Sequence, residues 1–345
     1  MSTSDAHSLS RRAIVGGGVG AAAAAAAGPV LAQSSAASSS AQAPASEPAS
    51  VEPVLRDPTE KYPKPPFPRQ SQPWPGLAVN MNPRPDHGEA SYRGSGRLAG
   101  RKALITGGDS GMGRAAAIAY AREGADVAIN HLPQEAPDAR EVIQLIQAAG
   151  RTAVDIPGDI RDEAFCKSLV DQAVKGLGGL DILVMNAGRQ QTCRSILDLT
   201  TENFDWTMKT NIYAPFWIIK AALPHLKPGA TIVATASVQA YDPSADLYDY
   251  AQTKAATMNY VKSLSKQLAP NGIRVNGVAP GPIWTALQVS GGATEDKIHE
   301  FGATTPLGRA GQPAELASIY VQLAAEDASY ATGQIYGSSG GGGMP

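Results

Sequence analysis

The chain has 345 residues and a formal net charge of −2, and 43% of its residues are hydrophobic. This length allows one domain of about 250 residues with an appended front end, and enough apolar side chains for a sizeable core. The charge gives no basic surface for nucleic acid, and the five histidines are scattered, so that no Cys/His cluster has metal-ligand spacing. We therefore expect no nucleic-acid partner and no metal.

The N-terminus has the pattern of an export signal. Ser10-Arg11-Arg12 precedes an uncharged, alanine-rich stretch that ends in Val30-Leu31-Ala32, which gives the charged, apolar and small-residue regions of a signal peptide. Paired arginines before a weakly hydrophobic segment suggest the twin-arginine route, which exports folded proteins. We predict a twin-arginine-type signal peptide at residues 1–32, transient contact with the export machinery, and a periplasmic or exported protein. A membrane helix and a cytoplasmic protein are the alternatives.

The next segment lacks the pattern of a folded domain. Residues 33–60 are rich in Ser, Ala, Pro and Gln and too poor in large apolar groups to build a core, which predicts a disordered linker. Residues 61–97 remain rich in Pro and Gly but gain large apolar side chains, so we predict an extended arm that packs on the following domain or on a neighbouring subunit. These side chains are Tyr62, Phe67, Trp74, Leu77 and Met81. Disorder throughout the arm is the alternative.

From residue 98 onward, short apolar runs alternate with helical segments. The predicted strands are Lys102–Thr106, Asp126–Asn130, Thr152–Ile156, Asp181–Met185, Thr231–Thr235 and Ile273–Val278, with a last strand within Gly333–Gly341. Apolar strands separated by helices indicate a parallel sheet covered on both faces. We predict an α/β fold with a doubly wound parallel sheet, the Rossmann fold, as a single domain over residues 98–345.

A glycine-rich turn, Thr106-Gly-Gly-Asp-Ser-Gly-Met-Gly113, follows the first strand and precedes an alanine-rich helical segment. Glycines let the backbone approach a pyrophosphate, and the helix N-terminus offers free N–H groups and a partial positive charge. This order predicts a dinucleotide phosphate loop. Ligands of such sheets bind beyond the carboxyl ends of the strands, and Asn186-Ala187-Gly188, Ser237 and Pro280-Gly281-Pro282 all follow predicted strands.

Tyr250 and Lys254 are four residues apart in a predicted helix, so they project from the same face. An ammonium beside the phenol would lower the phenol's pKa from about 10 toward the working pH, which would suit it to carry a proton. Ser237 and Asn211, further upstream, complete a candidate relay for carbonyl chemistry. A solvated lysine beside a packed tyrosine would be the simpler interpretation if the pair stood alone.

Together these motifs resemble the short-chain dehydrogenase/reductase family over residues 98–340. The matching motifs are the glycine turn that begins at Thr106, Asn186-Ala-Gly, Asn211 in Lys-Thr-Asn-Ile, Ser237, and Tyr250-Ala-Gln-Thr-Lys254. The lead-in segments Gln70-x-Gln-Pro and Ser91-Tyr-Arg-Gly-Ser-Gly are similar to those of glucose/ribitol dehydrogenase-like oxidoreductases and bacterial general stress proteins.

The resemblance implies an NAD(P)-dependent oxidoreductase that interconverts a small-molecule carbonyl, such as an aldehyde, a ketone or a sugar, and its alcohol. Tyr250 would be the general acid or base, and Lys254 would lower its pKa and hold the nicotinamide ribose. Ser237 would hydrogen-bond the substrate oxygen, and Asn211 would hold a water that extends the relay to solvent. A non-catalytic nucleotide sensor or interaction protein is the alternative, and an epimerase or dehydratase is a third. The complete relay favours an enzyme, because a sensor has no need of one.

The resemblance also implies which residues bind NAD or NADP. They are Gly107, Asp109, Ser110, Gly111, Met112 and Gly113 in the glycine turn, Asn130 after the second strand, Asp159 and Ile160 for adenine, Asn186, Ala187 and Gly188 at the sheet centre, Tyr250 and Lys254, and Pro280, Gly281, Ile283 and Thr285 for the carboxamide. A solvated turn residue is the alternative for Asp159. The choice of cofactor stays open, because Asn130-His131-Leu132 supplies neither the acidic residue of NAD users nor the basic one of NADP users. Arg114 could reach a 2′-phosphate, although a position on the helix surface is the favoured interpretation.

Three expectations concern the rest of the domain. Residues 284–309 contain several glycines and are expected to form a substrate lid, with a rigid surface excursion as the equal alternative. The resemblance implies a homotetramer, since the last strand lies near a subunit contact in this family. Cys166 and Cys193 are expected to stay free thiols, because folding would precede export.

Overall fold

A seven-stranded parallel sheet forms the centre of the computed structural model, which describes residues 55–342. The strand order is β3-β2-β1-β4-β5-β6-β7, and each neighbouring pair is parallel. The strands are β1 Lys102–Thr106, β2 Asp126–His131, β3 Ala153–Pro157, β4 Ile182–Met185, β5 Thr231–Thr235, β6 Arg274–Pro280 and β7 Ile335–Ser338. The predicted doubly wound sheet is confirmed. The predicted signal peptide and most of the predicted linker lie outside the described residues.

Helices connect the strands and cover both faces of the sheet. They are α1 Gly111–Arg122, α2 Ala136–Ala148, α3 Glu163–Leu177, α4 Thr201–Met208, α5 Ala214–Ala222, α6 Tyr248–Leu268, α7 Glu295–His299 and α8 Ala314–Ala324. A π-helical turn, Lys209–Tyr213, joins α4 to α5. Among residues 55–342, no helix combines the length and the hydropathy that crossing a membrane requires.

Side chains alternate between two helical layers along each strand. In β1, Ile105 packs in the layer that contains α1, α2 and α8, whereas Leu104 packs in the layer that contains α3, α5 and α6. Both faces of the internal strands are therefore buried, whereas the edge strands β3 and β7 are only partly buried. This burial explains why the internal strands read as continuous apolar runs in the sequence. The carboxyl ends of all seven strands meet at one edge of the sheet.

The segment before β1 contacts the domain through a separate apolar cluster. The ring of Phe67 stacks on Trp284 with centroids 4.4 Å apart, and Met81 belongs to the same cluster. The indole N–H of Trp284 donates to the carbonyl of Pro83 at 2.8 Å. We call residues 61–97 the arm, as in the sequence prediction, and these contacts join the arm to the segment that follows β6.

Arg114 is a second point of contact between the arm and the domain. Its side chain is only 1% exposed, and Nη2 lies 2.9 Å from Glu89 of the arm and 2.8 Å from Glu141 of α2. The interpretation of Arg114 as a helix-surface residue was therefore wrong. The arm covers this part of α1, a long-range contact that no local pattern indicates.

The two cysteines lie in different parts of the domain. Cys166 is buried in α3, and Cys193 follows β4 in a partly exposed position. Both are free thiols. Burial raises the pKa of the Cys166 thiol to about 12, so this thiol is inert at neutral pH.

Candidate active site

The carboxyl ends of the strands open into one cleft of about 320 Å³, a size typical of small-molecule and cofactor sites. The predicted site residues come from segments spread over most of the domain, yet all of them except Gly113 and Asn211 line this cleft. The cleft wall continues from the glycine turn, past the Asn186-Ala187-Gly188 segment, to Ser237 and Tyr250. A ligand in the cleft could therefore contact both the predicted cofactor residues and the predicted relay.

The glycine turn forms a cradle that side chains would fill. Gly107 and Gly111 have φ angles of 61° and 53°, which favour glycine. A Cβ added at Gly113 would lie 1.9 Å from the carbonyl oxygen of Gly107, so Gly113 lies directly beneath the turn. Because α1 begins at Gly111, its N-terminal N–H groups and partial positive charge lie at the cleft. This cradle fits a pyrophosphate.

Hydrogen bonds hold the glycine turn against the centre of the sheet. The hydroxyl of Thr106 accepts from the backbone N–H groups of Asn186 and Ala187 at 3.0 and 3.2 Å. The side-chain amide of Asn186 donates to the carbonyl of Gly107 at 3.1 Å, and its oxygen accepts from Thr235 at 3.1 Å. The Asn186-Ala-Gly motif therefore fixes β1, β4 and β5 relative to one another.

Tyr250 and Lys254 lie one turn apart in α6, and both side chains are buried. Burial raises the pKa of the Tyr250 phenol to about 12, although a hydrogen bond with Ser237 acts in the opposite direction. Burial also lowers the pKa of Lys254 to about 8. The Lys254 Nζ donates to the carbonyl of Thr235 at 2.7 Å and lies 5.4 Å from the centroid of the Tyr250 ring. Burial thus raises the pKa of Tyr250, whereas the sequence analysis expected Lys254 to lower it. The lowering of this pKa by Lys254 stays a prediction.

Ser237 follows β5 and lines the cleft beside Tyr250. Its backbone is extended, and its hydroxyl accepts from the backbone N–H of Gln239 at 3.1 Å. That contact leaves the hydroxyl proton available for another partner. The hydroxyl is therefore held at the cleft in an orientation set by the turn that follows it.

Asn211 lies behind the cleft wall, in the π-helical turn between α4 and α5. Its side-chain oxygen accepts from the N–H of Arg189 at 2.8 Å, and its amide donates to the Arg189 carbonyl at 2.9 Å and to the Thr253 hydroxyl at 3.0 Å. The Thr253 hydroxyl in turn donates to the carbonyl of Tyr250 at 2.7 Å. Asn211 therefore links the segment after β4 to the first turns of α6, and its predicted role in holding a water stays a prediction.

Two carboxyl groups lie together near the end of β2. Asp109 is 1% exposed, and its Oδ2 has no hydrogen-bond partner within residues 55–342. Glu135 accepts from the backbone N–H of Leu132 at 2.8 Å. Burial raises the pKa of Asp109, and burial followed by repulsion from Asp109 raises that of Glu135. Both groups line the cleft, and the orphaned oxygen of Asp109 suits a donor such as a ribose hydroxyl.

The side chain of Asp159 is 37% exposed, and its predicted contact with adenine stays a prediction. Its carboxylate accepts from the guanidinium of Arg161, with Nε 2.9 Å from Oδ2, and both residues line the cleft beside Ile160. The guanidinium of Arg161 also lies over the ring of Trp206, with Cζ 4.2 Å from the ring centroid. This stacked arrangement is not visible in the sequence, because Trp206 lies on α4, far from β3 in the chain.

The cleft wall also contains residues that the sequence analysis did not select. From the arm come Trp74, Pro75 and Gly76, and from the predicted lid come Ala286, Leu287, Gln288, Ser290, Gly292, Ala293, Lys297 and Phe301. For the arm residues, the only indication in the sequence was the presence of large apolar side chains in the arm. The segment after β6 thus forms one wall of the cleft, and its movement as a lid stays a prediction.

Comparisons with known proteins agree with this geometry. A family model described as enoyl-(acyl carrier protein) reductase matches residues 107–342. The oxidoreductase YghA of Escherichia coli is 58% identical over 287 residues, which are 83% of this chain and 98% of the relative. The glucose and ribitol dehydrogenase of Daucus carota is 40% identical over 282 residues, covering 80% of this chain and 96% of that protein.

The solved structures include a short chain dehydrogenase from Burkholderia cenocepacia in complex with NADP. It is 34% identical to this chain, with a TM-score of 0.66, and the match covers 71% of this chain and 98% of that one. The matched family model covers β2 to β7 and the cleft residues from Gly107 onward, and the relative and the solved structure are each covered to 98% of their own length. This chain therefore belongs to the short-chain dehydrogenase/reductase family and is an NAD(P)-dependent oxidoreductase.

Proposed function

We propose that the protein interconverts a small-molecule carbonyl and its alcohol in this cleft, with Ser237, Tyr250 and Lys254 as catalytic residues and Asn211 as a positioning residue. The observation that carries the proposal is the position of Tyr250 and Ser237 in the same cleft as the glycine cradle. A nucleotide sensor or an interaction protein would need the glycine cradle, but it would not need the buried hydroxyl groups of Ser237 and Tyr250 beside it.

The residues that would hold the cofactor follow from the cleft wall. The glycine turn, Gly107 to Gly113, would hold the pyrophosphate, Asn130, Asp159 and Ile160 would border the adenosine, and Asn186 to Gly188 would support the middle of the cleft. Pro280, Gly281, Ile283 and Thr285 would hold the carboxamide. When bound, the nicotinamide donates or accepts the hydride.

The relay residues have separate tasks in carbonyl reduction. The Ser237 hydroxyl donates a hydrogen bond to the carbonyl oxygen, which orients the substrate and stabilises the developing negative charge. The Tyr250 phenol donates its proton to that oxygen, and Lys254 stabilises the resulting phenolate. Asn211 holds the first turns of α6 through Thr253, so that Tyr250 keeps its position. Alcohol oxidation uses the same groups in reverse.

The first test is binding and turnover. Titration with NADH and NADPH, monitored by reduced-cofactor fluorescence, is followed by a panel of aldehydes, ketones and sugars monitored at 340 nm. We expect binding and substrate-dependent oxidation. Binding without turnover across a broad panel would favour the nucleotide sensor.

Tyr250→Phe tests the acid/base role directly. We expect turnover to fall by about 10² to 10⁴-fold, the range typical of a lost general acid, while the Kd for the reduced cofactor stays within about twofold. Tyr248→Phe is the matched control, because Tyr248 is half-exposed at the start of the same helix and does not line the cleft. Near-normal turnover of Tyr250→Phe would contradict the role of Tyr250.

We also propose export through the twin-arginine route, on the strength of Arg11-Arg12 and the alanine-rich stretch to Ala32. The alternative is a cytoplasmic protein. Cell fractionation of the wild-type protein and of a variant carrying both Arg11→Lys and Arg12→Lys separates the two. Export predicts a shortened periplasmic form in the wild type that the double variant lacks. A full-length protein confined to the cytoplasm would refute export.

The assembly state that we propose is a homotetramer. The family resemblance suggests it, and exposed aromatic side chains on α5 and on the π-helical turn before it support a contact between subunits.

A further inference from the structure

A short loop of the arm forms part of the cleft wall. Trp74, Pro75 and Gly76 line the cleft together with the glycine turn and the relay residues. The side chain of Gln72 closes this loop, since its oxygen accepts from the N–H of Leu77 at 2.8 Å and its amide donates to the Leu77 carbonyl at 3.1 Å. We call residues 72–79 the clasp.

One end of the clasp is bound to the segment that follows β6. The backbone N–H of Gln72 donates to the carbonyl of Val289 at 2.8 Å. At Gly76 the packing is so close that an added Cβ would lie 2.9 Å from the carbonyl oxygen of Ala286 and 2.9 Å from the Cβ of Ser290. These residues follow Thr285, which lies in the segment predicted to hold the carboxamide.

The other end of the clasp is bound to α2, which follows β2 on the predicted adenosine side. The carboxylate of Asp138 accepts from the backbone N–H groups of Ala78 and Val79 at 2.5 and 3.1 Å. Asp138 is fully buried, so these bonds are shielded from water and difficult to replace. The chain between Gln72 and Ala78 thus connects two walls of the cleft that are far apart in sequence.

Trp74 provides a third contact, on α4. Its ring meets Trp206 edge to face, with centroids 5.1 Å apart, and the guanidinium groups of Arg161 and Arg189 lie over Trp206 at 4.2 and 4.6 Å. Arg161 is adjacent to Ile160, one of the predicted adenine contacts. The loop that carries this aromatic side chain is therefore held at the cleft by three separate elements, although a surface arm requires no such arrangement.

We propose that the clasp is part of the cofactor site and that Trp74 covers the bound dinucleotide, which is released only when the clasp detaches. This inference rests on the proposed function, because it requires NAD(P)H to bind in this cleft. Detachment breaks the contacts to Val289, Asp138 and Trp206 together, so release is slower than from an open cleft. Slow release would let an exported enzyme retain a cofactor acquired before export.

The test is the rate at which NADH leaves the purified protein, measured by stopped-flow fluorescence after mixing with excess NAD⁺ and repeated with NADPH. We expect Trp74→Ala to accelerate release at least tenfold and Trp74→Phe to have a smaller effect. Tyr62→Ala is the control, because it truncates an arm aromatic that does not line the cleft, and we expect its release rate to stay within twofold of the wild-type rate.

Hydrogen exchange of the wild-type protein provides a readout that does not depend on a variant's folding. The backbone N–H groups of residues 72–79 should exchange more slowly when NADH is bound. The role of the clasp would be contradicted if the wild type binds NADH but Trp74→Ala releases it at the wild-type rate. It would also be contradicted if the wild type binds NADH but hydrogen exchange in the clasp stays unchanged. Either result would leave the proposed function intact. Failure of the wild type to bind either NADH or NADPH would overturn both.

Discussion

Folding strongly changes the protonation of Lys254. Burial lowers its pKa from 10.5 to about 8. Between these values the unfolded chain binds a proton that the folded chain has released, so this group makes the protein more stable as the pH rises. Relative to Lys254→Met, the wild type should gain up to about 3 kcal/mol of unfolding free energy between pH 7 and pH 10.5. Urea unfolding of both proteins across this range measures the gain, and parallel pH profiles would contradict it.

Asp109 bears on the choice between NADH and NADPH. Its buried carboxyl lies in the glycine turn and has an oxygen without a hydrogen-bond partner among residues 55–342. It lines the cleft together with Asn130 of β2, at the end of the cleft where dinucleotide-binding folds hold the ribose. A 2′-phosphate there would face a like charge, so we expect NADH to bind more tightly than NADPH. Asp109→Asn should reduce the ratio of the Kd for NADPH to the Kd for NADH by about tenfold, equivalent to roughly 1.4 kcal/mol. Fluorescence titration measures both constants.

Two outcomes would contradict the role of Asp109. One is tighter binding of NADPH than of NADH by the wild type, and the other is an unchanged Kd ratio in Asp109→Asn. Asp155→Asn is a suitable control, because this carboxylate contacts His131 on β2 but does not line the cleft.

At the scale of secondary-structure elements, the sequence predicted those features that depend on a local pattern of residues. The seven strands and the glycine turn were predictable, because the five internal strands are buried on both faces and the phosphate loop requires a fixed order of strand, turn and helix. The π-helical turn that contains Asn211 was not, since its register depends on the bonds that Asn211 makes to Arg189 and Thr253. The course of the arm was not predictable either, because its partners are distant in sequence.

The contacts of Arg114 show why local sequence patterns do not predict the position of the arm. They also allow the attachment of the arm to be tested. Removing the guanidinium leaves Glu89 and Glu141 without their shared partner, and both carboxylates are partly shielded from water. We expect Arg114→Met to lower the unfolding free energy by about 2 kcal/mol, less than the 3 to 5 kcal/mol of a fully buried pair. Limited trypsin digestion should also cut the arm faster at Arg93 and Arg97.

The matched control is Arg97→Met, which removes a more exposed pair with Asp327. We expect it to change stability by less than about 1 kcal/mol. If Arg114→Met had no larger effect than this control, the ion pairs of Arg114 would not be what holds the arm to α1 and α2.

At the scale of the whole molecule, α5 and the π-helical turn that precedes it present an aromatic surface. Tyr213 and Phe216 are 47% and 58% exposed, and Tyr213 stacks on Trp217 with centroids 5.6 Å apart. Neighbouring positions of one helix face thus expose large apolar rings, with Lys220 over the ring of Phe216. We expect an aromatic surface of this kind to contact another protein, and a second copy of this chain would supply a matching surface.

The homotetramer is therefore tested best at Phe216. We expect light scattering to give the mass of a tetramer for the wild type at micromolar concentration and a smaller assembly for Phe216→Asp, because the carboxylate would be desolvated at the interface. Leu197→Asp is the control, since Leu197 is a 92% exposed apolar side chain in the loop before α4, and its mass should equal the wild-type mass. A monomeric wild type would refute the tetramer, whereas a tetrameric Phe216→Asp would show that the subunits meet through a surface other than α5.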